Sequence, residues 1–176
     1  MAISRRTLLQ LATLSSLSGA LWPRGAYAQS RGGILNVALD QDLSSLVPSI
    51  RTNGATQSVG SKIFQGLFSY GPGNSVVPVL AESIDVSDDG MTYTFRLRNG
   101  VKWHDGVPFT SADVAFSAGD IVPKTHGRTR LILENIESIE TPDEATVVMH
   151  LRQRYLPFVL GIGGVNMPIL PKHIFE

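Results

Sequence analysis

From Met91 to Arg98 apolar and polar side chains alternate without a break. Met91, Tyr93, Phe95 and Leu97 fall on one side; Thr92, Thr94, Arg96 and Arg98 fall on the other. A period of two sends alternate side chains to opposite faces, so the pattern predicts a strand with one face buried. Asn99-Gly100 follows, a pair that favours a hairpin turn with positive φ at both positions. Val101 and Trp103 would then rejoin the apolar side, with Lys102 and His104 toward water. Between Thr56 and Tyr70 the spacing changes: Val59, Ile63, Phe64, Leu67 and Phe68 recur at helical intervals, ahead of the breaker Gly71-Pro72-Gly73.

The remaining segments read more briefly. Ile34 to Leu39 is expected as a short buried strand, and Thr52-Asn53-Gly54-Ala55 as a turn. Val76 to Ala81 and Glu82 to Val86 form short strands around Pro78. Thr110 to Asp113 caps a helix over roughly 112–119, with Val114 and Phe116 inward. Beyond a polar turn at Lys124 to Arg130, Leu131 to Glu140 and Ala145 to Leu151 are expected to pair across Pro142-Asp143-Glu144. Tyr155 to Leu160 reads as a short helix, Gly161 to Asn166 as a glycine-rich crossing segment, and Pro171 as the start of a further helix. The order is α+β, with its strands concentrated in the middle.

The N-terminus is a targeting segment rather than part of the fold. Arg5 and Arg6 precede a modestly apolar run from Leu8 to Ala20, and Ala26-Tyr27-Ala28 matches a small-residue cleavage site. Ser4-Arg5-Arg6-Thr7-Leu8-Leu9 is similar to a twin-arginine export signal, although Leu8 and Gln10 depart from its preferred residues. The chain has no cysteine, so no lipid anchor can be attached at the cleavage site and no disulfide can form. Past residue 28 there remain 12 Lys and Arg against 15 Asp and Glu. That mildly acidic balance argues against nucleic acid and against an anionic membrane face. The expected product is soluble and periplasmic, with no nucleic-acid partner.

Catalytic and metal chemistry fail on geometry. A calcium loop opening at Asp85 would find Ser87, Asp89 and Gly90 in place but Arg96 where the bidentate glutamate belongs. His104 and Asp105 are adjacent in an extended segment and point to opposite faces, a poor arrangement for a base and its orienting acid. The four histidines, at 104, 126, 150 and 173, lack the short spacing of a zinc site. No Gly-x-Ser-x-Gly elbow or Walker sequence occurs, and Gly161-Ile162-Gly163-Gly164 lacks the ending of a dinucleotide loop. An enzyme is not expected, nor is a cofactor.

An ordered series of motifs carries a family resemblance. It runs from Leu80-Ala81-Glu82-Ser83 through Val86-Ser87-Asp88-Asp89-Gly90-Met91-Thr92-Tyr93-Thr94-Phe95. It continues as Leu97-Arg98-Asn99-Gly100-Val101-Lys102-Trp103-His104-Asp105-Gly106 and ends with Pro108-Phe109-Thr110-Ser111-Ala112-Asp113-Val114. The series closely resembles the family 5 extracellular solute-binding proteins, the receptors of bacterial peptide and nickel ABC importers. Weaker agreement extends the likeness to about Gly33 to Glu176, notably at Ile63-Phe64-Gln65-Gly66-Leu67 and Met167-Pro168-Ile169-Leu170.

The resemblance implies a type II periplasmic-binding-protein-like α+β fold, in which two lobes close over a solute. Members run to several hundred residues, so this chain would be an N-terminal portion, its second lobe absent. The implied division is a signal peptide at 1–28, the first part of lobe I at 29–77, a strand-rich subdomain at 78–150 and a truncated return to lobe I at 151–176. The implied partners are a small-molecule or peptide solute and the permease subunits of an ABC transporter. Two segments are implied to line the cleft. One is Thr52, Asn53, Gly54 and Ala55, whose free backbone groups would pair with an extended peptide; the other holds Gly163, Gly164 and Asn166. Trp103 is expected in the core rather than against ligand. The chain alone is further expected to expose apolar surface, including parts of Phe64, Phe68 and Phe158.

Overall fold

The computed structural model describes residues 32–176, and the expected export signal with Arg5, Arg6, Ala26 and Ala28 lies outside the described residues. Residues 32–38 belong to a unit separate from Leu39–Glu176. They carry no strand, and Ile34 and Leu35 are 90% and 86% exposed. The strand expected over Ile34 to Leu39 therefore does not form. Backbone amides and carbonyls hold an extended conformation only when a neighbour completes their hydrogen bonds, and no described strand pairs here.

The centre of the larger unit is a four-stranded antiparallel sheet. Its strands are β3 (Ala81–Val86), β4 (Thr92–Leu97), β5 (Ile136–Asp143) and β6 (Thr146–Leu151), in the order β3-β4-β6-β5. The register sets Ile84 opposite Phe95, Phe95 opposite Val147, and Tyr93 opposite Met149. Tyr93, Phe95, Leu97, Val147, Met149 and Leu151 thus share one buried face, as the alternation predicts. The β3–β4 turn is closed by its own polar side chains. Asp89 Oδ1 accepts from the Met91 amide at 2.9 Å and lies 2.6 Å from Ser87 Oγ, while Gly90 takes φ 69°. The acids that imitate a calcium loop make a turn, and Arg96 at the twelfth position pairs with Asp85 instead.

Asn99-Gly100 does not make the expected hairpin. Only Gly100 has positive φ, and residues 101–109 fold back on themselves, with the Trp103 amide on the Val107 carbonyl and the Phe109 amide on the Val101 carbonyl. Both edges of β4 are already taken by β3 and β6, so no place beside it remains for a returning strand.

Helices cover the buried face. The first, α2 (Ser111–Phe116), runs through a π turn at Ser117–Ile121 into α3 (Val122–Thr125), and α4 (Gly127–Leu133) follows. The helix start at Thr110 is as expected, with its amide donating to Asp113 Oδ2 at 2.9 Å. Leu131 to Leu133, expected as strand, lies in α4. His126 caps that helix, which turns Leu133 inward and leaves Leu131 66% exposed. The strand begins only at Ile136, and the β5–β6 hairpin then forms as predicted.

Asp113 ties these parts together. Its buried carboxylate accepts from the Thr110 amide, from Trp103 Nε1 at 3.2 Å and from the Lys172 amide at 2.8 Å. Trp103 therefore packs against the core, edge-on to Phe109.

The N-terminal helix is shorter than its spacing predicts. α1 (Gly54–Gly60) ends in a turn at 61–63, and a non-helical stretch then leads into β1 (Phe68–Tyr70), which pairs with β2 (Val76–Pro78). Neighbours claim the backbone that a longer helix would need: Gln65 O accepts from Ile169 N, and Leu67 O accepts from the amides of Val79 and Ala81. Leu67 and Phe68 reach the core from this non-helical stretch, and Phe68 lies 5.8 Å from Phe95 between ring centres. Of the three phenylalanines expected to be exposed, Phe68 and Phe158 are buried and Phe64 is half-buried. Two short helices close the chain: α5 (Phe158–Gly161), starting after Pro157 rather than at Tyr155, and α6 (Lys172–Phe175) after Pro171.

Candidate functional site

Asn53 sits at the head of α1, and its Oδ1 accepts from the Thr56 amide at 2.9 Å. Gly54 and Ala55 are the first two helical residues, so their amides lack intrahelical acceptors; Ala55 is buried and Thr52 is exposed. The expected turn is thus a capped helix start. Its unpaired backbone donors are those of a first helical turn rather than a strand-like edge.

The crossing segment is built around Tyr70. The Tyr70 hydroxyl lies within hydrogen-bonding distance of the carbonyls of Leu160 and Gly163 and donates its one proton there, while Asn166 Nδ2 donates to it at 3.1 Å. Burial raises the phenol pKa, against the opposing effect of the Asn166 bond. Glycine is required here by space: a Cβ on Gly163 would come within 3.0 Å of the Tyr70 ring, and Gly164 holds φ 56°. Gly66 belongs to the same close crossing, since a Cβ on it would meet the Gly164 carbonyl at 2.6 Å. Thr129 Oγ1 donates to the Asn166 carbonyl at 2.7 Å, which joins α4 to the segment.

Sequence reasoning missed Tyr70, Gly66 and Thr129. Gly66 falls within a weak family motif, but nothing local links any of the three to the segment, because the fold brings each to it from 37 to 98 positions away.

The two candidate segments share no hydrogen bond. A cavity of about 330 Å³ includes Gly66, Gly164 and Val165 in its lining but none of residues 52–55. A larger one, about 700 Å³, lies between α2 and β5, away from both segments. Its charged rim carries both signs, with Lys172 and Glu176 paired to each other.

The His-Asp contact that exists is not the adjacent pair. Asp105 Oδ2 lies 2.7 Å from His173 Nε2 on α6. That bond, with a second from the Val107 amide, holds the Asp105 carboxyl below its ordinary range. Both residues are exposed, and His173 also lines an open cavity of about 400 Å³ beside Thr110, Asp113 and Lys172. Among the described residues no three His, Cys, Asp or Glu side chains gather as a metal site.

The family model described as bacterial extracellular solute-binding proteins, family 5 Middle, matches residues 75–174. The chain belongs to this family. The glutathione-binding protein GsiB of Escherichia coli K12 is 36% identical over 126 residues, which cover 70% of this chain and 24% of that protein. The chain thus spans about a quarter of the length of the curated relatives it matches. Among solved structures, the binding protein AgaA of A. tumefacien R10, in complex with agropinic acid, superposes with TM-score 0.69 at 35% identity. The match covers 76% of this chain and 27% of AgaA. NikZ of Campylobacter jejuni, in complex with Ni(L-His), gives TM-score 0.65 at 29% identity, covering 77% and 27%.

Family and fold agree with the resemblance read from the motifs. The chain is a type II periplasmic-binding-protein-like α+β structure, homologous to a minor part of the two-lobe receptors. It belongs to a non-catalytic, extracytoplasmic family of ABC-importer components.

Proposed function

We propose that the chain is a first-lobe part of the solute-binding component of an ABC importer, and that these 176 residues alone do not retain a solute. The observation that carries this reading is the state of the candidate side chains. Asn53 Oδ1 is taken by its own helix, and Asn166 Nδ2 is taken by Tyr70. What these segments offer a solute is backbone and shape, and a single wall of that kind leaves a peptide's charged ends in water. Affinity at such sites comes from enclosure plus a few convergent polar groups. In this reading residues 29–77 and 151–176 belong to the first lobe, and 78–150 is its subdomain. Thr52, Asn53, Gly54, Ala55, Gly163, Gly164 and Asn166 form part of one cleft wall.

A second reading keeps the chain as a working receptor that captures a small solute, a peptide foremost, and delivers it to permease subunits. It is favoured by the exposed, unpaired amide of Gly54 and by the ligands of relatives, which are glutathione, agropinic acid and Ni(L-His). All three are amino-acid-derived and strongly polar. Thermal melts of the 176-residue chain against di- and oligopeptides, glutathione, opines and nickel–histidine separate the two readings. We expect a melting temperature unmoved by every ligand at millimolar concentration. A concentration-dependent rise with any one class establishes the working receptor and names its solute class.

A further inference from the structure

His126 is the one histidine in the buried interior of the described residues, at 2% exposure. Its backbone amide closes α3 on the Val122 carbonyl, and its ring caps α4: Nδ1 accepts from the Thr129 amide at 3.2 Å. An imidazole nitrogen that accepts carries no proton, so the neutral ring holds its hydrogen on Nε2. That nitrogen is enclosed and has no partner. Protonation would place a second donor on Nδ1, directly against the Thr129 N–H. The cap and the charged ring therefore exclude each other.

The cap leads to the crossing segment through consecutive hydrogen bonds. Thr129 donates its amide to His126 and its hydroxyl to the Asn166 carbonyl at 2.7 Å. Asn166 donates its side-chain amide to Tyr70, whose hydroxyl reaches the carbonyls of Leu160 and Gly163. We infer that His126 is a positioning residue for the Gly163–Asn166 segment: its neutral ring fixes Thr129 and through it Asn166, and its protonation releases the segment. The functional meaning rests on reading that segment as cleft wall; the coupling itself does not.

The surroundings favour the neutral ring. Burial pushes the His126 pKa down against an opposing backbone hydrogen bond of the same residue, and the Arg128 guanidinium on its own helix adds to the lowering. Of the elements packed on α4, α3 carries one cation, Lys124, which is paired with Asp120, and α5 carries no charged side chain. Arg130 at the far end of α4 is paired with Glu134. No carboxylate is placed to hold an imidazolium.

The test is a pH titration of the ¹⁵N-labelled 176-residue chain by NMR from pH 7.5 to 5, following the His126 ring, the Thr129 amide and the Asn166 side-chain NH₂. In wild type the Thr129 and Asn166 signals should move with the His126 midpoint. Thr129 amide exchange, corrected for its intrinsic pH dependence, should rise about tenfold, the factor expected for losing one buried hydrogen bond. His126→Asn keeps a capping oxygen and removes the titration, so both signals should stay flat. The inference is overturned if Asn166 titrates unchanged in His126→Asn, or if it stays still in wild type while His126 titrates. A wild-type ring that stays neutral until the chain unfolds overturns it equally, and that result needs no variant. None of these readouts involves a ligand, so failed solute binding leaves the coupling standing.

Discussion

Two regions of the larger unit both carry recurring apolar residues and use them differently. In the sheet region, Phe95, Val147 and Met149 are completely buried, and the central strands β4 and β6 are paired on both sides. In residues 39–63, Leu39, Leu43, Leu46, Ile50 and Ile63 are 36–49% exposed, and the chain is loop and one short helix. The difference lies chiefly in the partners each region finds. A sheet face meets its covering helices within 60 residues of the same chain. In the N-terminal region several small residues and Pro48 are buried, with Gly60 pressed against Pro48, while its large apolar side chains stay at the surface. Apolar residues stabilise only where something excludes water from them.

Substitutions should therefore grade steeply between the regions. Phe95→Ala empties the junction of β3, β4 and β6, and about 3–5 kcal/mol should be lost in urea unfolding. A cost below about 1 kcal/mol would show that the sheet core is no better packed than the N-terminal limb. Gly66→Ala tests the place where the limb enters the core. The new methyl meets the Gly164 carbonyl, which cannot swing aside as a side chain would, and a cost of about 1–3 kcal/mol is expected. Tyr70 fluorescence or ring NMR shifts should change with it, because the crossing segment must move.

Acid sharpens the contrast through two windows of opposite surroundings. His126 has a depressed pKa, so the unfolded chain takes up its proton first, and stability should fall as pH drops below about 6.5. Asp105 and Asp89 are also depressed, but as acids held ionised by hydrogen bonds. Their contribution is complete above the ordinary carboxylate pKa of 3.8 and disappears as pH falls through their lower folded values. Melting curves from pH 7.5 to 2.5 should show both steps; His126→Asn should remove the upper one alone and Asp105→Asn weaken the lower. The smallest effect is expected at Leu46→Ser. At 48% exposure the change should stay within about 0.5 kcal/mol in the same urea assay, and a larger loss would mean that the limb is covered after all.

What could be read from the residues follows the same division. The 92–97 strand, its buried face, the helix start at Thr110 and the β5–β6 hairpin were legible because their determinants are local: period, cap and turn. The motif series from Leu80 to Val114 was legible for the same reason and led to the family. The helix expected up to Tyr70 failed because Gln65 and Leu67 give their carbonyls to residues 169, 79 and 81. The strand expected from Leu131 failed because a histidine, not among the commonest cap residues, caps α4.

The candidate segments divide likewise. Asn53 and Gly54 could be read as a turn signal from the sequence, yet not as a helix start on which Asn53 spends its own oxygen. The crossing glycines could be read as a close approach, but not that Tyr70, Gly66 and Thr129 would be the groups approached. Sequence alone determined what each segment does with its immediate neighbours, since alternation, capping and turn chemistry act within a few residues. Tertiary structure alone decided which backbone groups were still free to continue a helix, which histidine was buried, and which side chains met at the crossing. Those outcomes depend on competition for hydrogen bonds and space between segments far apart in the chain, and no local pattern records who wins it.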